Sequence, residues 1–315
     1  MTYAPGLVAR TRPVDPAVEV DLLALAGADG FLFARNGVGV AGRGEAARLP
    51  RADAAKLLCG IVADDPLAHP GTGPLAFGAL PFVPGAPADL VVPEVIVGRS
   101  ADGATWITTI RAEGPDADAD HDKLSTSALG LGRPSAATGP GSFEVRSARP
   151  PEVWMDAVAT ATRTIGTGAL DKVVLAREVV VTADAPIPVA TVLARLASGY
   201  PGCFLYLVEG FCGASPELLV SRSGDVVRAQ PMAGTLPRSG DPDVDARRTA
   251  ELLASPTYRH EHQVTIDAVH DALLGFSSYV DFEPQPSVVA LANVSHLATS
   301  VEGRLSQPPA SVLDL

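Results

Sequence analysis

Apolar positions along this chain fall into two kinds of pattern. Over residues 30 to 110 short runs punctuated by Gly and Pro (FLFARNGVGV, PLAFGALPF, LVVPEVIVG, ATWITTI) predict several β-strands with turns between them. Later, PPEVWMDAVATATRTIG opens on prolines suited to a first helical turn and carries Trp154, Val158, Ala161 and Ile165 at helical spacing. It stops near Gly166 and Gly168, which predicts an amphipathic helix. DKVVLAREVVV, rich in β-branched residues and bounded by turn formers, predicts a strand, as does CFLYLV. In GASPELLVSR, Leu218, Leu219 and Val220 predict a short strand, and SGD followed by VVRAQ predicts its hairpin partner. Two helical segments follow, Asp243 to Leu253 and Thr257 to Leu274, the second with His262, Ile266, Val269 and Leu273 on one stripe. SVVALANVSHLAT returns to strand. There is no internal repeat. The order predicts an α+β fold of antiparallel sheets with helices packed outside, rather than the regular alternation of a parallel sheet.

Composition adds a boundary. Between Arg111 and Gly141 the chain shifts to Ala, Asp, Gly, Ser and Pro, which predicts a connector or mobile loop over about 111–142. The division expected is a β-rich half, 1–142, ending in that linker, and a second portion, 143–315. With 315 residues, 47% of them hydrophobic, the chain can bury a sizeable core as one large domain or two ordinary ones. No run approaches the apolar length needed to cross a bilayer, and MTYAPGLVARTRPVDP lacks the apolar core of a secretion signal, so a cytoplasmic protein is expected. Cys59, Cys203 and Cys212 have no metal-ligand spacing, and an odd count does not suggest a disulfide framework. A net charge of −12 argues against a nucleic-acid or anionic-membrane partner. To bind a small anion, such a protein must reverse its field locally with Lys, Arg, a helix N-terminus or a metal ion.

Four pieces carry candidate chemistry: Lys172 in DKVVLAR, Glu217 in GASPELLV, QPMAGTLPR with Gly234 and Thr235, and Glu261 in YRHEHQVTIDAVH. Each has a plain alternative. A lysine opening an apolar strand usually extends its ammonium into water; burial or a neighbouring charge that lowered its pKa would make it a general base. Glu217 at a strand mouth reads on its own as an edge carboxylate, solvated or paired with Arg222 or Arg228. Gly234 and Thr235 either end a strand with a turn, or let a ligand approach the backbone and meet a hydroxyl. His260 and His262 are two apart on a helix and point to nearly opposite faces, which disfavours shared zinc; Glu261 can project opposite the apolar stripe, and a lone carboxylate with water suits Mg²⁺.

Taken in order, KVVLAR, GASPELLVSR, the P-x-A-G-T segment, the Glu261-His262 pair opening a helix, and HLAT at His296 to Thr299 resemble the chorismate-utilising enzymes. That family includes isochorismate synthases, salicylate synthases, anthranilate synthase large subunits and aminodeoxychorismate synthases. The resemblance covers about residues 150 to 303. It implies a large α+β domain in which two antiparallel sheets stack as a sandwich with helices outside and the site in a cleft. By the same resemblance Lys172 would activate water and Glu217 would protonate the departing C4 hydroxyl, its pKa raised by burial or by a nearby negative charge such as the substrate's. Glu261 would hold Mg²⁺, Gly234 and Thr235 would line chorismate, and His296 would lie near its ring carboxylate.

Two positions discriminate among members. Anthranilate synthases usually carry Gln where this chain has Lys172, and aminodeoxychorismate synthases usually carry a nucleophilic lysine where it has Ala233. The pair fits water addition, hence an isochorismate synthase, with salicylate synthase as the alternative and a non-catalytic chorismate-binding protein as a second class. The implied protein acts as a monomer without an amidotransferase subunit. Two departures stand out. Thr257 and Tyr258 replace a Lys followed by an acidic residue or Asn, and the family continues beyond SVLDL into a segment bearing an arginine clamp and further Mg²⁺ ligands. The resemblance therefore implies a catalytic portion truncated at its C-terminus, with the sandwich incomplete and strand edges exposed.

Overall fold

The computed structural model describes residues 6–83, 85–114, 117–129 and 139–315. Contacts divide these into two units. One holds the described residues up to 129 together with Pro188–Glu217 and Ser311–Asp314; the other holds residues 139–187 and Leu218–Ala310. The second half of the sequence therefore does not form one body, because 30 of its residues, Pro188–Glu217, return to the first unit.

The first unit is built on an eight-stranded sheet in the order Phe211–Ser215, Phe204–Val208, Phe31–Arg35, Val38–Arg43, Val95–Arg99, Thr105–Ala112, Leu7–Pro13 and Val62–Asp64. Every neighbouring pair is antiparallel except the last, where Leu7–Pro13 runs parallel to Val62–Asp64. Asn36 and Gly37 join two of these strands, both with positive φ (54° and 74°), the mirror-image turn whose twist matches flanking strands. One face of the sheet buries Leu32, Val97, Ile107 and Leu207 against Leu25 of the helix Leu22–Ala26 and Leu193 of the helix Val189–Gly199. PLAFGALPF does not form the expected strand; it makes a single bridge, Phe77 to Val91. Pro74 and Pro81 lack the amide donors a ladder requires.

The expected loop at 111–142 contains a helix, Ala117–Leu129, whose Leu124 and Ala128 pack on the core just described. Its His121 is buried and hydrogen-bonds the Thr109 hydroxyl. Polar residues dominate the composition of this helix, so composition alone concealed it. Within that connector, residues 115–116 and 130–138 lie outside the described residues.

The second unit has a four-stranded antiparallel sheet in the order Leu218–Ser223, Val226–Gln230, Val301–Leu305, Ser277–Phe282, and a three-stranded one in the order Met232–Pro237, Val294–Ala298, Ser287–Ala290. The predicted hairpin is present, with Ser223 opposite Val226 and Gly224 taking the positive φ of its tight turn. SVVALANVSHLAT is not one strand but a hairpin, because Leu291 to Asn293 turn the chain between Ser287–Ala290 and Val294–Ala298.

Both expected helices form, as Pro242–Ala254 and Pro256–Leu274. Asp241 caps the first by accepting from the amides of Asp243 and Val244. The second buries the predicted stripe through His262, Ile266 and Leu273, and Leu273 joins Val227, Ala229, Val301 and Leu305 in the core of this unit.

The expected strand DKVVLAREVVV forms only from Val179 to Ala183, paired with Phe143–Ser147. Residues 173–178 join no ladder among the described residues, and Val174 is 81% exposed. The helix predicted from Trp154, Val158, Ala161 and Ile165 spans Pro151–Gly166 as expected, yet none of its residues is buried. Hydrophobic periodicity thus specified the helix without specifying what covers it. No helix among the described residues is long and apolar enough to cross a membrane.

Candidate functional site

The helix Pro256–Leu274 brings two of the candidate side chains, Lys172 and Glu261, together. Glu261 and Thr265 are four apart and so lie one turn from each other on the same face. Lys172 approaches that face. Its Nζ donates to Thr265 Oγ1 at 2.6 Å and lies 3.8 Å from Glu261 Oε1. Thr265 Oγ1 in turn donates to the Glu261 carbonyl at 3.2 Å. Lys172 therefore does not simply extend into water: its side chain is only 21% exposed and its amine is anchored.

The adjacent residue, His262, is rotated about 100° around the helix and points inward. It is 2% exposed, and its Nε2 is paired with the hydroxyl of fully buried Thr299 at 2.8 Å. Its Nδ1 is also buried and has no hydrogen-bond partner. Burial pushes the imidazole pKa below its ordinary value; the positive charge of Lys172 acts in the same direction and Glu261 opposes it. His262 is thus a neutral core histidine that ties the helix to the HLAT strand. His260 is exposed, so the two histidines occupy different environments, as their spacing predicts.

Thr235 and His296 come together across the three-stranded sheet. They are direct register partners, and Thr235 Oγ1 lies 2.9 Å from His296 Nδ1. The ladder is irregular between Ala233 and Thr235, and Gly234 occupies the irregularity with φ +74°. A β-carbon there would sit 3.3 Å from Tyr258 Cβ, so the space above this glycine is taken by the helix carrying Glu261. Gly234 serves the bulge and the close seating of that helix. The Tyr258 that departs from the family pattern is the residue seated on it.

A clasp that the sequence did not reveal holds the next segment. Arg238 Nε donates to Asp245 Oδ2 at 3.2 Å and its Nη1 to the Leu291 carbonyl at 2.7 Å. Asp245 also accepts from the amides of Ser239 and Gly240 and from the Ser239 hydroxyl. Those bonds, the Ser239 amide foremost, hold its carboxyl below the usual range, with Arg238 adding to them.

Glu217 belongs to the first unit and is its last residue before Leu218, which pairs with Gln230 in the second. Its amide donates to Ser215 Oγ at 3.3 Å, so the turn through Pro216 is fixed. The side chain is exposed, and the burial anticipated as one source of a raised pKa is not found.

Among the described residues no group of three or more His, Cys, Asp and Glu side chains gathers to hold a metal. Glu261 is 41% exposed and presents one carboxylate. That donor set fits Mg²⁺, which keeps several waters and completes its shell with substrate oxygens, and does not fit a closed all-protein cage. The hydroxyls of Thr265 and Thr299 were not singled out in the sequence. The signal for Thr265 was its i,i+4 relation to Glu261; for Thr299 it was a polar residue ending an apolar strand opposite a buried histidine.

Comparison with known proteins places the chain in a family. A family model described as chorismate binding enzyme matches residues 40–315. The chain is 34% identical over 270 residues to the MenF protein of Mycobacterium tuberculosis, covering 82% of this chain and 65% of that one. It is 33% identical over 253 residues to the isochorismate synthase DhbC of Bacillus subtilis, covering 77% and 57%. The structure of MenF, the menaquinone-specific isochorismate synthase of Escherichia coli, superposes with a TM-score of 0.78 at 22% identity, over 99% of this chain and 74% of that one. The chain thus spans between just over half and about two thirds of the length of these two curated relatives. The matched span and the shared α+β architecture give one conclusion: the chain belongs to the chorismate binding enzyme family.

Proposed function

We propose that this chain carries the chemistry of an isochorismate synthase, which moves the hydroxyl of chorismate from C4 to C2. The observation that carries the proposal is the Lys172 amine, anchored by Thr265 beside Glu261, in a chain with Ala233 where an aminating relative would place lysine. Similarity to DhbC, an isochorismate synthase by name, supports it.

In this reading the Lys172 lone pair accepts a proton from water as the water oxygen bonds to C2. The ring double bonds shift, the C4–O bond breaks, and Glu217 gives its proton to the departing hydroxyl. One water enters and one leaves, so the reaction is an isomerisation. Glu217 must be protonated at the start, and the dicarboxylate substrate supplies the negative charge that favours its neutral form. Thr235 and His296, paired across the sheet, present a hydroxyl and an imidazole to the ring carboxylate. Mg²⁺ bound through Glu261 would neutralise that carboxylate, offsetting the repulsion expected from a chain of net charge −12. Water needs no ammonia-delivering subunit. The reaction takes place in the cytoplasm, with the product feeding menaquinone or siderophore synthesis.

The test is turnover of chorismate by Lys172→Ala and Glu217→Gln variants against the unsubstituted chain, with circular dichroism to confirm the fold. Loss of nearly all turnover in both supports the roles; unsubstituted rates in either remove that residue from the mechanism. Salicylate and pyruvate as products would replace the proposal with a salicylate synthase.

A further inference from the structure

Lys172 lies next to a residue that no motif singled out. We propose that Thr265 is a positioning residue for the reaction, setting the direction in which the Lys172 amine faces water; this rests on Lys172 being the base.

The geometry is directional. Thr265 has one hydroxyl proton, and it is committed to the Glu261 carbonyl one turn earlier, at 3.2 Å. Toward Lys172 the hydroxyl can then only accept, and Nζ donates to it at 2.6 Å. An amine held through one N–H turns its remaining positions on nitrogen away from that acceptor. Glu261 Oε1, 3.8 Å from Nζ, marks a second direction along which an N–H is favoured. With two directions set from one helix face, the open side of the nitrogen, the side a base would use, faces off the helix. Both anchors sit on rigid helical backbone, whereas residues 173–178, which follow Lys172, belong to no ladder among the described residues. A four-carbon side chain leaving such a segment has many rotamers, and the Thr265 hydroxyl selects among them. Valine has the shape of threonine without the hydroxyl, and serine keeps the hydroxyl without the methyl, so the two substitutions separate packing from hydrogen bonding.

The experiment combines steady-state kinetics with trace acetylation. Thr265→Val is expected to lower kcat about tenfold, the size one hydrogen bond supplies, with KM nearly unchanged, because substrate contacts are untouched. Thr265→Ser is expected to stay within about twofold of the unsubstituted protein. Trace acetic anhydride labelling, read by peptide mass spectrometry against Lys56 and Lys123 as internal references, reports the amine without requiring turnover. Thr265→Val should change Lys172 labelling several-fold while Thr265→Ser should not. A Thr265→Val variant with unsubstituted kcat and labelling would overturn the proposal, as would a serine variant as slow as the valine one. If the unsubstituted chain fails to convert chorismate while Lys172 labelling still depends on the Thr265 hydroxyl, the anchor stands and the functional reading fails.

Discussion

Replacing Thr299 with valine deletes one hydroxyl and nearly preserves shape. Thr299 is fully buried, and its hydroxyl is the partner of His262 Nε2 at 2.8 Å. The other ring nitrogen already lacks a partner, so the imidazole has no alternative bond to fall back on. A hydrogen bond contributes about 1 kcal/mol net, and stranding a buried polar nitrogen costs about 1–3 kcal/mol. Valine returns part of this through added apolar contact, leaving an expected loss of about 2 kcal/mol. For a unit of this size that corresponds to a fall in Tm of about 4–8 °C. Thermal unfolding at pH 8, where the histidine is neutral in folded and unfolded chains, measures the loss without a protonation contribution. Amide exchange along Pro256–Leu274 localises it, because the bond joins this helix to the strand ending at Ala298. A Tm change below about 1 °C, with exchange unaltered, would refute the reasoning that this pair secures the helix bearing Glu261 and Thr265.

Three further outcomes follow from the same geometry. Because the folded-state pKa of His262 is depressed, the unfolded chain takes up the proton first: stability is complete above the ordinary imidazole pKa of about 6.5 and is lost as pH falls toward the depressed folded value. Urea midpoints measured from pH 8 to pH 5 should therefore decline, and His262→Gln should flatten that decline; an equal slope in both would exclude His262 as its source. Gly234→Ala places a β-carbon at φ +74° against Tyr258 and should cost about 2 kcal/mol, seen as a lower urea midpoint, whereas a neutral result would mean the bulge relaxes freely. Glu261→Ala should shift the Mg²⁺ concentration giving half-maximal activity upward at least tenfold, and an unchanged titration would remove it as a ligand.

How much of this was legible in the sequence depended on whether the information was local. The helix Pro256–Leu274 followed from the spacing of His262, Ile266 and Leu273, and the hairpin at Gly224 from its turn residues, because each carries its own signal. The mutual placement of Thr235 and His296 was not local. Only register across the Gly234 irregularity makes them partners, and a one-residue slip would send them to opposite faces. The connector helix Ala117–Leu129 escaped because polar residues dominate it; among the described residues Leu124 and Ala128 pack it on the core. DKVVLAREVVV shows the converse: strong β-propensity makes a strand only where a partner supplies hydrogen bonds, and only Val179–Ala183 has one among the described residues. Lys172 was singled out as a candidate, but its contact with Thr265 was not, since Thr265 lies 93 residues further along the chain.

The most direct test of the account is mass-resolved product analysis after incubating the 315-residue chain with chorismate and Mg²⁺, with and without ammonium. Water addition through Lys172 with Ala233 in place predicts isochorismate as the product in both incubations, abolished in Lys172→Ala. An aminated product in the presence of ammonium would contradict it.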